Sequence, residues 1–180
     1  MENTLLLMAK EAGLSAAILD VAEIPVKKEY RKFCEDNLCG NYGTNYSCPP
    51  DCGEVDVMHQ RILKEEKALV LQSVWEIGSY EDREAIWAAK EKHNRAQLKL
   101  AEEMKANGLE GFCVGSSCCM LCNPCKKREG LPCAFPELQF SCMSAYCVDV
   151  AETAEKCGLE FAWDSGKLYL YGMIVYHKER

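Results

Sequence analysis

Thirteen cysteines, arranged in two groups, constrain this 180-residue chain more than any other feature. The first group, within nineteen residues, is Cys34, Cys39, Cys48 and Cys52. The second begins at Cys113, ends at Cys147 and is followed by Cys157. The first eight residues lack the basic region and apolar stretch of a signal peptide, so we expect a cytoplasmic protein, in which disulfides do not persist. An odd total also fits a disulfide framework poorly, which leaves metal binding, catalysis or burial as roles for the thiols.

Composition and charge exclude several classes of partner. The chain has 48% hydrophobic residues, as expected for a packed core, and a net charge of −7. No apolar run approaches the roughly 18 residues that a membrane span needs. The one basic run, residues 126–128, is followed at once by Glu129. We therefore expect no nucleic-acid or membrane partner, and the sequence gives no indication of the oligomeric state.

Strand and helix patterns alternate along the chain. Apolar runs predict strands over residues 16–21, 68–75, 111–115, 159–163 and 167–177. Helices are predicted near residues 3–13, 27–33, 62–66, 79–107 and 144–156. Strands separated by helices favour a single α/β domain over residues 1–180, with a mixed sheet flanked by helices. The cysteine-rich segments 34–52 and 113–147 are then two metal-binding loops at the ends of the sheet.

The sharpest motif is Cys119-x2-Cys122-x2-Cys125. Three cysteines at this spacing wrap one tight turn and reach three corners of an iron–sulfur cubane, as in the ferredoxin-like pattern. Structural zinc sites instead use pairs of cysteines far apart in sequence. A [4Fe–4S] cluster is favoured here, with zinc and a purely structural thiol cluster as the alternatives.

Two neighbouring cysteines complicate the ligand set of this motif. Cys133, after seven intervening residues, is the nearest candidate for the fourth ligand. The corresponding cysteine of ferredoxins often serves a different cluster, so spacing alone does not decide whether Cys133 closes this one. Cys118 competes with Cys119 for the first position, and the regular spacing favours Cys119. The basic residues 126–128 would raise the potential of a nearby cluster or help a partner to dock.

The first group is less specific. Its pattern is Cys34-x4-Cys39-x8-Cys48-x3-Cys52, in a loop with glycines that let backbone N–H groups approach sulfur. We predict a second iron–sulfur cluster, with zinc or no metal as alternatives. The two groups also allow one centre assembled from both. If one thiol of the first group is not a ligand, an iron corner is open to substrate and the protein is an enzyme.

Three stretches resemble a known family. They are Cys39 to Pro50, the segment from Cys119 through Cys133 to Pro136, and Met143 to Val150. They are similar to the predicted metal-binding proteins of domain of unknown function 2284, over roughly residues 30–176. The resemblance implies a cluster-binding α/β domain, common in anaerobes, without an assigned reaction. The chain departs from the family pattern at Ser144, where an acidic residue is expected, and at Cys147, where glycine is expected.

The remaining candidates have simpler explanations. Cys113 and Cys157 are expected to be buried thiols that pack as small hydrophobic side chains. Cys142 and Cys147 are expected to pack as well, although their spacing also allows a place near a cluster or a redox dithiol. His93 lies on the apolar stripe of the long helix and is expected to be a core histidine rather than a ligand.

The favoured function is single-electron transfer by two [4Fe–4S] clusters that exchange electrons with a redox partner protein. One alternative is an enzyme that binds substrate at an open iron. The other is a zinc-stabilised interaction module without catalysis. The sequence contains no phosphate-binding glycine loop, Gly-x-Ser-x-Gly or His-Glu-x-x-His motif that would indicate another chemistry.

Overall fold

The computed structural model describes residues 1–163 and 166–178. Its helices are α1 (Glu2–Glu11), α2 (Arg31–Glu35), α3 (Val55–Leu63), α4 (Arg83–Ala106) and α5 (Val150–Cys157). Its strands are β1 (Ser15–Asp20), β2 (Lys67–Glu76), β3 (Leu109–Val114) and β4 (Lys167–Lys178). No described helix combines the length and apolarity that a membrane span requires.

The four strands form one sheet in the order β1-β2-β4-β3, and every neighbouring pair is antiparallel. The α/β class is confirmed, but the sheet is antiparallel where a mixed sheet was predicted. The reason lies in β4. Helix α4 connects β2 to β3 as a crossover would, and β2 and β3 do run in the same direction. The long C-terminal strand inserts between them and pairs with both, so no two parallel strands become neighbours.

Helices cover both faces of the sheet. Strand β2 shows why, since alternate side chains of a strand point to opposite faces. Leu69 and Leu71 pack with residues of α1 and α4, while Ala68 and Val70 pack with residues of α3, α5 and segment 143–148. All four side chains are fully buried, and each buried leucine contributes about 2 kcal/mol from the loss of apolar surface to water. The apolar run that predicted this strand is therefore the centre of a three-layer core.

Several element boundaries differ from the sequence prediction. The predicted strand 159–163 is not a strand; the Glu160 carbonyl instead accepts hydrogen bonds from the side chains of Gln72 and Tyr171 on the sheet. Helix α5 begins at Val150, not at residue 144. Asp149 caps it by accepting a hydrogen bond from Glu152 N at 3.0 Å. Cys147 just before it has a φ of 57°, a left-handed conformation that a helix cannot include.

Candidate metal centre

The second cysteine segment folds back so that residues 141–143 pair with Gly115, directly after β3. Gly115 N donates to Ser141 O at 2.9 Å, and Met143 N donates to Gly115 O at 3.0 Å. A Cβ at Gly115 would lie 2.4 Å from the Phe140 ring, so only glycine permits this approach. The returning strand-like segment therefore places Cys142 beside the residues that follow Gly115.

The four cysteines predicted from the second motif line one pocket, which we call the small pocket. They are Cys119, Cys122, Cys125 and Cys133, and all four are partly buried. The pocket has a volume of about 10 Å³, close to the minimum that one water molecule needs. Burial raises the pKa of the Cys119 thiol. The structure thus gathers the whole predicted ligand set, Cys133 included, around one space.

Residues of both loops enclose the small pocket. Tyr46 and Phe135 contribute aromatic rings to its lining. The Tyr46 hydroxyl donates to Leu131 O at 2.9 Å, and Gln139 Nε2 donates to Tyr46 O at 2.9 Å. Two hydrogen bonds therefore hold the tyrosine of the first loop in the same lining as the thiols of the second.

A second group of thiols lines a much wider space, which we call the large cavity. Its cysteines are Cys34, Cys39, Cys48, Cys118 and Cys142. The volume is about 230 Å³, far above the roughly 15 Å³ that a water molecule needs. Lys90 of α4 and the hydroxyls of Ser116 and Ser117 add polar groups, while Phe33 and Leu38 add apolar surface. Three of the four cysteines predicted from the first motif are here, together with two that were not assigned.

Within the large cavity, Cys48 and Cys118 contact one another. Their exposed fractions are 6% and 4%, and they form a small buried cluster with Met120. The hydrogen bond from Cys48 lowers the pKa of Cys118 to about 7. The same bond, together with burial, raises the pKa of Cys48. Burial raises the pKa of Cys142 to about 12.

Cys52, the fourth cysteine of the first motif, is not on the lining of the large cavity. Its Sγ accepts a hydrogen bond from Arg31 Nη1 at 3.6 Å, and Arg31 Nη2 donates to Gly53 O at 3.0 Å. Its side chain packs against the core cluster on the α3–α5 face. Burial raises the pKa of Cys147, and the positive charge of Arg31 opposes this rise. Cys52 and Cys147 therefore both lie near Arg31, and neither lines the large cavity.

The two loops are joined by buried hydrogen bonds at Cys119. Ser47 Oγ accepts from Cys119 N at 2.8 Å, and Asn45 Nδ2 donates to Cys119 O at 3.2 Å. Asn45 Oδ1 in turn accepts from Ser47 N and Ser47 Oγ, at 3.0 and 2.8 Å. Because Cys118 lines the large cavity and Cys119 the small pocket, the two thiol groups are neighbours separated by a single peptide bond.

The basic run also connects the loops. Lys127 pairs with Asp51, and Arg128 Nη2 donates to Gly40 O at 2.9 Å. Lys126 pairs locally with Glu129 at 3.0 Å. Lys127 Nζ lies 5.3 Å from the ring centroid of Tyr46, so its charge is close to the small pocket. Part of this run therefore holds the two loops together.

Two further thiols and His93 pack in or against the core. Cys113 is buried with the α1–α4 cluster, and burial raises its pKa to about 12. Cys157 packs against the opposite cluster. His93 is fully buried on α4, where its Nδ1 pairs with Ser73 Oγ at 2.7 Å. Packing roles predicted for these three residues agree with the structure.

Sequence reasoning did not assign Cys118 and Cys142 to a site. For Cys118 the chain does carry a signal: it directly precedes Cys119, the first cysteine of the second motif. Two neighbouring cysteines thus serve two different spaces. Cys142 has no such signal, because its place depends on the pairing of residues 141–143 with Gly115.

In residues 1–163 and 166–178, no three or more Cys, His, Asp or Glu side chains are placed to hold one metal ion between them. The thiols instead surround spaces. A family model described as a predicted metal-binding protein matches residues 17–176. No curated protein and no solved structure matches the chain.

Proposed function

The chain belongs to the family of predicted metal-binding proteins known as domain of unknown function 2284, and from that premise we propose that it carries two [4Fe–4S] clusters and transfers single electrons. One observation carries the proposal. Two groups of thiols, of four and five members, line two separate spaces that meet at consecutive residues, Cys118 and Cys119.

The lining of the small pocket supports a cluster held by Cys119, Cys122, Cys125 and Cys133. Its donor set contains four thiols and no carboxylate or histidine among the lining residues. Soft thiolates of this kind are the ligands of iron–sulfur clusters and of zinc. The pocket is narrow, so insertion of a cluster requires the segment around Cys122 and Cys125 to open, and the intervening residues 123 and 124 are exposed.

The spacing of the thiols favours a cluster over zinc. A tetrahedral zinc with sulfur at about 2.3 Å brings its four ligands to within about 3.8 Å of one another. Cubane thiolates each bind a different iron and therefore lie farther apart. In the part of the chain that the structure describes, no three ligand side chains are placed to hold a single ion, and the Cys119-x2-Cys122-x2-Cys125 motif has the spacing typical of a cubane.

The surroundings support electron transfer. Such a cluster supplies reversible one-electron chemistry, while the protein sets its exposure and its approach to a partner. Tyr46 lines the small pocket, and the exposed apolar side chains of Leu131, Phe135 and Leu138 lie in the same segment as its cysteines. These side chains give a redox partner protein a surface near the cluster.

Anaerobic purification followed by iron, sulfide, zinc and visible-absorption measurements tests the proposal. We expect about eight irons per chain, since each cubane holds four, with broad visible absorption. Stoichiometric zinc and a colourless protein would contradict it. The variant Cys122→Ala is expected to retain about half the iron, whereas Cys157→Ala, a matched thiol outside both spaces, retains all of it. Unchanged iron in Cys122→Ala would remove the assignment of the small pocket.

A further inference from the structure

We propose that the first cluster is bound by Cys34, Cys39, Cys48 and Cys118, so that the fourth thiolate comes from the second cysteine segment and not from Cys52. This inference rests on the proposed function. It concerns which residues hold the cluster in the large cavity and leaves the small pocket unchanged.

Cys118 is placed for this role by contacts on both sides. Before it, Ser116 N and Ser116 Oγ each donate to Asn94 Oδ1 of α4 at 3.1 Å. After it, Cys119 N donates to Ser47 Oγ at 2.8 Å. Because the chain is fixed at residues 116 and 119, Cys118 is held where its side chain lines the large cavity and contacts Cys48.

The side chain of Cys52 is held outside the large cavity. Its Sγ accepts the hydrogen bond from Arg31, and its side chain packs against the α3–α5 core cluster. Gly53, which follows it, has a φ of 104°, and α3 begins two residues later at Val55. To bind a cluster in the large cavity, Cys52 would have to give up the Arg31 contact and leave the core.

Cys142 is the fifth thiol of the large cavity and the competing candidate. It also packs against the α3–α5 core cluster, and its backbone is paired with Gly115. Cys118, by contrast, is grouped with Cys48 itself and belongs to neither sheet-facing core cluster. We therefore assign the ligand role to Cys118 and leave Cys142 as a thiol beside the cluster.

The assignment has two consequences. Four thiolates ligate four irons, which leaves no iron corner open to substrate and favours an electron carrier over the open-iron enzyme. Cys118 and Cys119 then belong to different clusters joined by one peptide unit. Two reduced clusters this close are expected to show a spin-coupled electron paramagnetic resonance signal.

Three single variants, Cys118→Ser, Cys52→Ser and Cys142→Ser, test the inference when purified anaerobically and reduced with dithionite. Cys118→Ser is expected to retain about half the iron and sulfide of the wild type and to replace the coupled signal with that of one isolated cluster. Cys52→Ser and Cys142→Ser are expected to retain the full iron content and the coupled signal.

The outcomes separate this inference from the proposed function. A wild-type protein without an iron–sulfur cluster overturns both. A wild type with two clusters and a Cys118→Ser variant that keeps both overturns only the ligand assignment, as does loss of half the iron in Cys52→Ser or Cys142→Ser. If Cys118→Ser does not fold, the Cys52→Ser result still decides whether Cys52 is a ligand. A cluster retained in the small pocket of Cys118→Ser shows that this variant is folded.

Discussion

The two thiol-lined spaces differ in how the chain builds them. The small pocket takes its cysteines from one continuous segment, residues 119–133, and measures about 10 Å³. The large cavity takes its cysteines from three separate segments and is more than twenty times larger, at about 230 Å³. A contiguous motif brings its ligands together through local turns. A discontinuous site forms only when distant segments pair, so the large cavity depends on the tertiary fold.

The two linings also differ in the polarity and charge of their side chains. Aromatic, aliphatic and amide side chains accompany the thiols of the small pocket, and no charged residue is part of its lining. The large cavity is lined by Lys90 and three serines. A cluster in the small pocket would therefore have Lys127 nearby, next to the Tyr46 ring, whereas a cluster in the large cavity would have a lysine in its own lining.

The largest expected effect concerns whether the two spaces act independently. We expect Cys39→Ser to remove the cluster of the large cavity and Cys122→Ser to remove that of the small pocket, each with loss of about four irons per chain. The double variant then retains no cluster. Iron and sulfide content of the purified proteins measures this. If either single variant lost all its iron, the thiols would form one centre assembled from both groups.

A second prediction concerns the scaffold beneath both spaces. Burial lowers the pKa of His93 to about 4. In the unfolded chain His93 takes up a proton below about pH 6.5, while the folded protein keeps it neutral down to about pH 4. The free energy of unfolding therefore falls as the pH is lowered through this window, by about 3 kcal/mol in total.

The variant His93→Gln provides the comparison for this pH dependence. Glutamine does not titrate, so the variant loses less stability than the wild type between pH 6.5 and 4, whatever its stability at pH 7. Denaturant unfolding across this range, followed by far-ultraviolet circular dichroism, gives the difference. Parallel curves for the two proteins would show that His93 is accessible to protons in the folded state.

Local patterns predicted much of this molecule, and pairings between distant segments account for what they missed. Apolar runs located β2 and β4 to within a residue or two because both faces of the central strands are covered. The cysteine spacing located the small pocket because its four cysteines are close in sequence. The place of β4 between β2 and β3 could not be predicted, since strand order depends on contacts between segments about a hundred residues apart.

The large cavity shows the same limit at the scale of single residues. Cys52 follows Cys48 at a spacing that suits a shared site, yet Arg31 and the core hold its side chain elsewhere. Cys142 reaches the large cavity only through the pairing of its segment with Gly115. The expectation of glycine at position 147, in contrast, agrees with the left-handed backbone that Cys147 adopts.

A third prediction tests the hydrogen bonds that separate the two spaces. Ser47→Ala leaves the partly buried Cys119 N–H without its acceptor, which costs about 2 kcal/mol. Because this contact anchors Cys119 in the lining of the small pocket, we expect a chelator to remove iron from its cluster about 30-fold faster. Thr44→Ala is the matched control, since its hydroxyl bonds the exposed Gly40 carbonyl. Equal rates for the two variants would show that the Ser47 contact does not restrain the pocket.

The smallest expected effect concerns the charge that distinguishes the two linings. Lys90 lines the large cavity, and its charge acts on Cys118. A nearby positive charge favours the reduced, more negative form of a cluster, so Lys90→Gln is expected to lower the potential of that cluster. An attraction of about 1 kcal/mol corresponds to about 40 mV for one electron.

Lys92→Gln, which removes an exposed lysine stacked over Trp75, controls for net charge. Redox titration monitored by electron paramagnetic resonance, in the Cys122→Ser background that retains only this cluster, measures the shift. An equal shift in both lysine variants would mean that the cluster senses only the overall charge of the protein, and the polarity of the two linings would then not set their potentials apart.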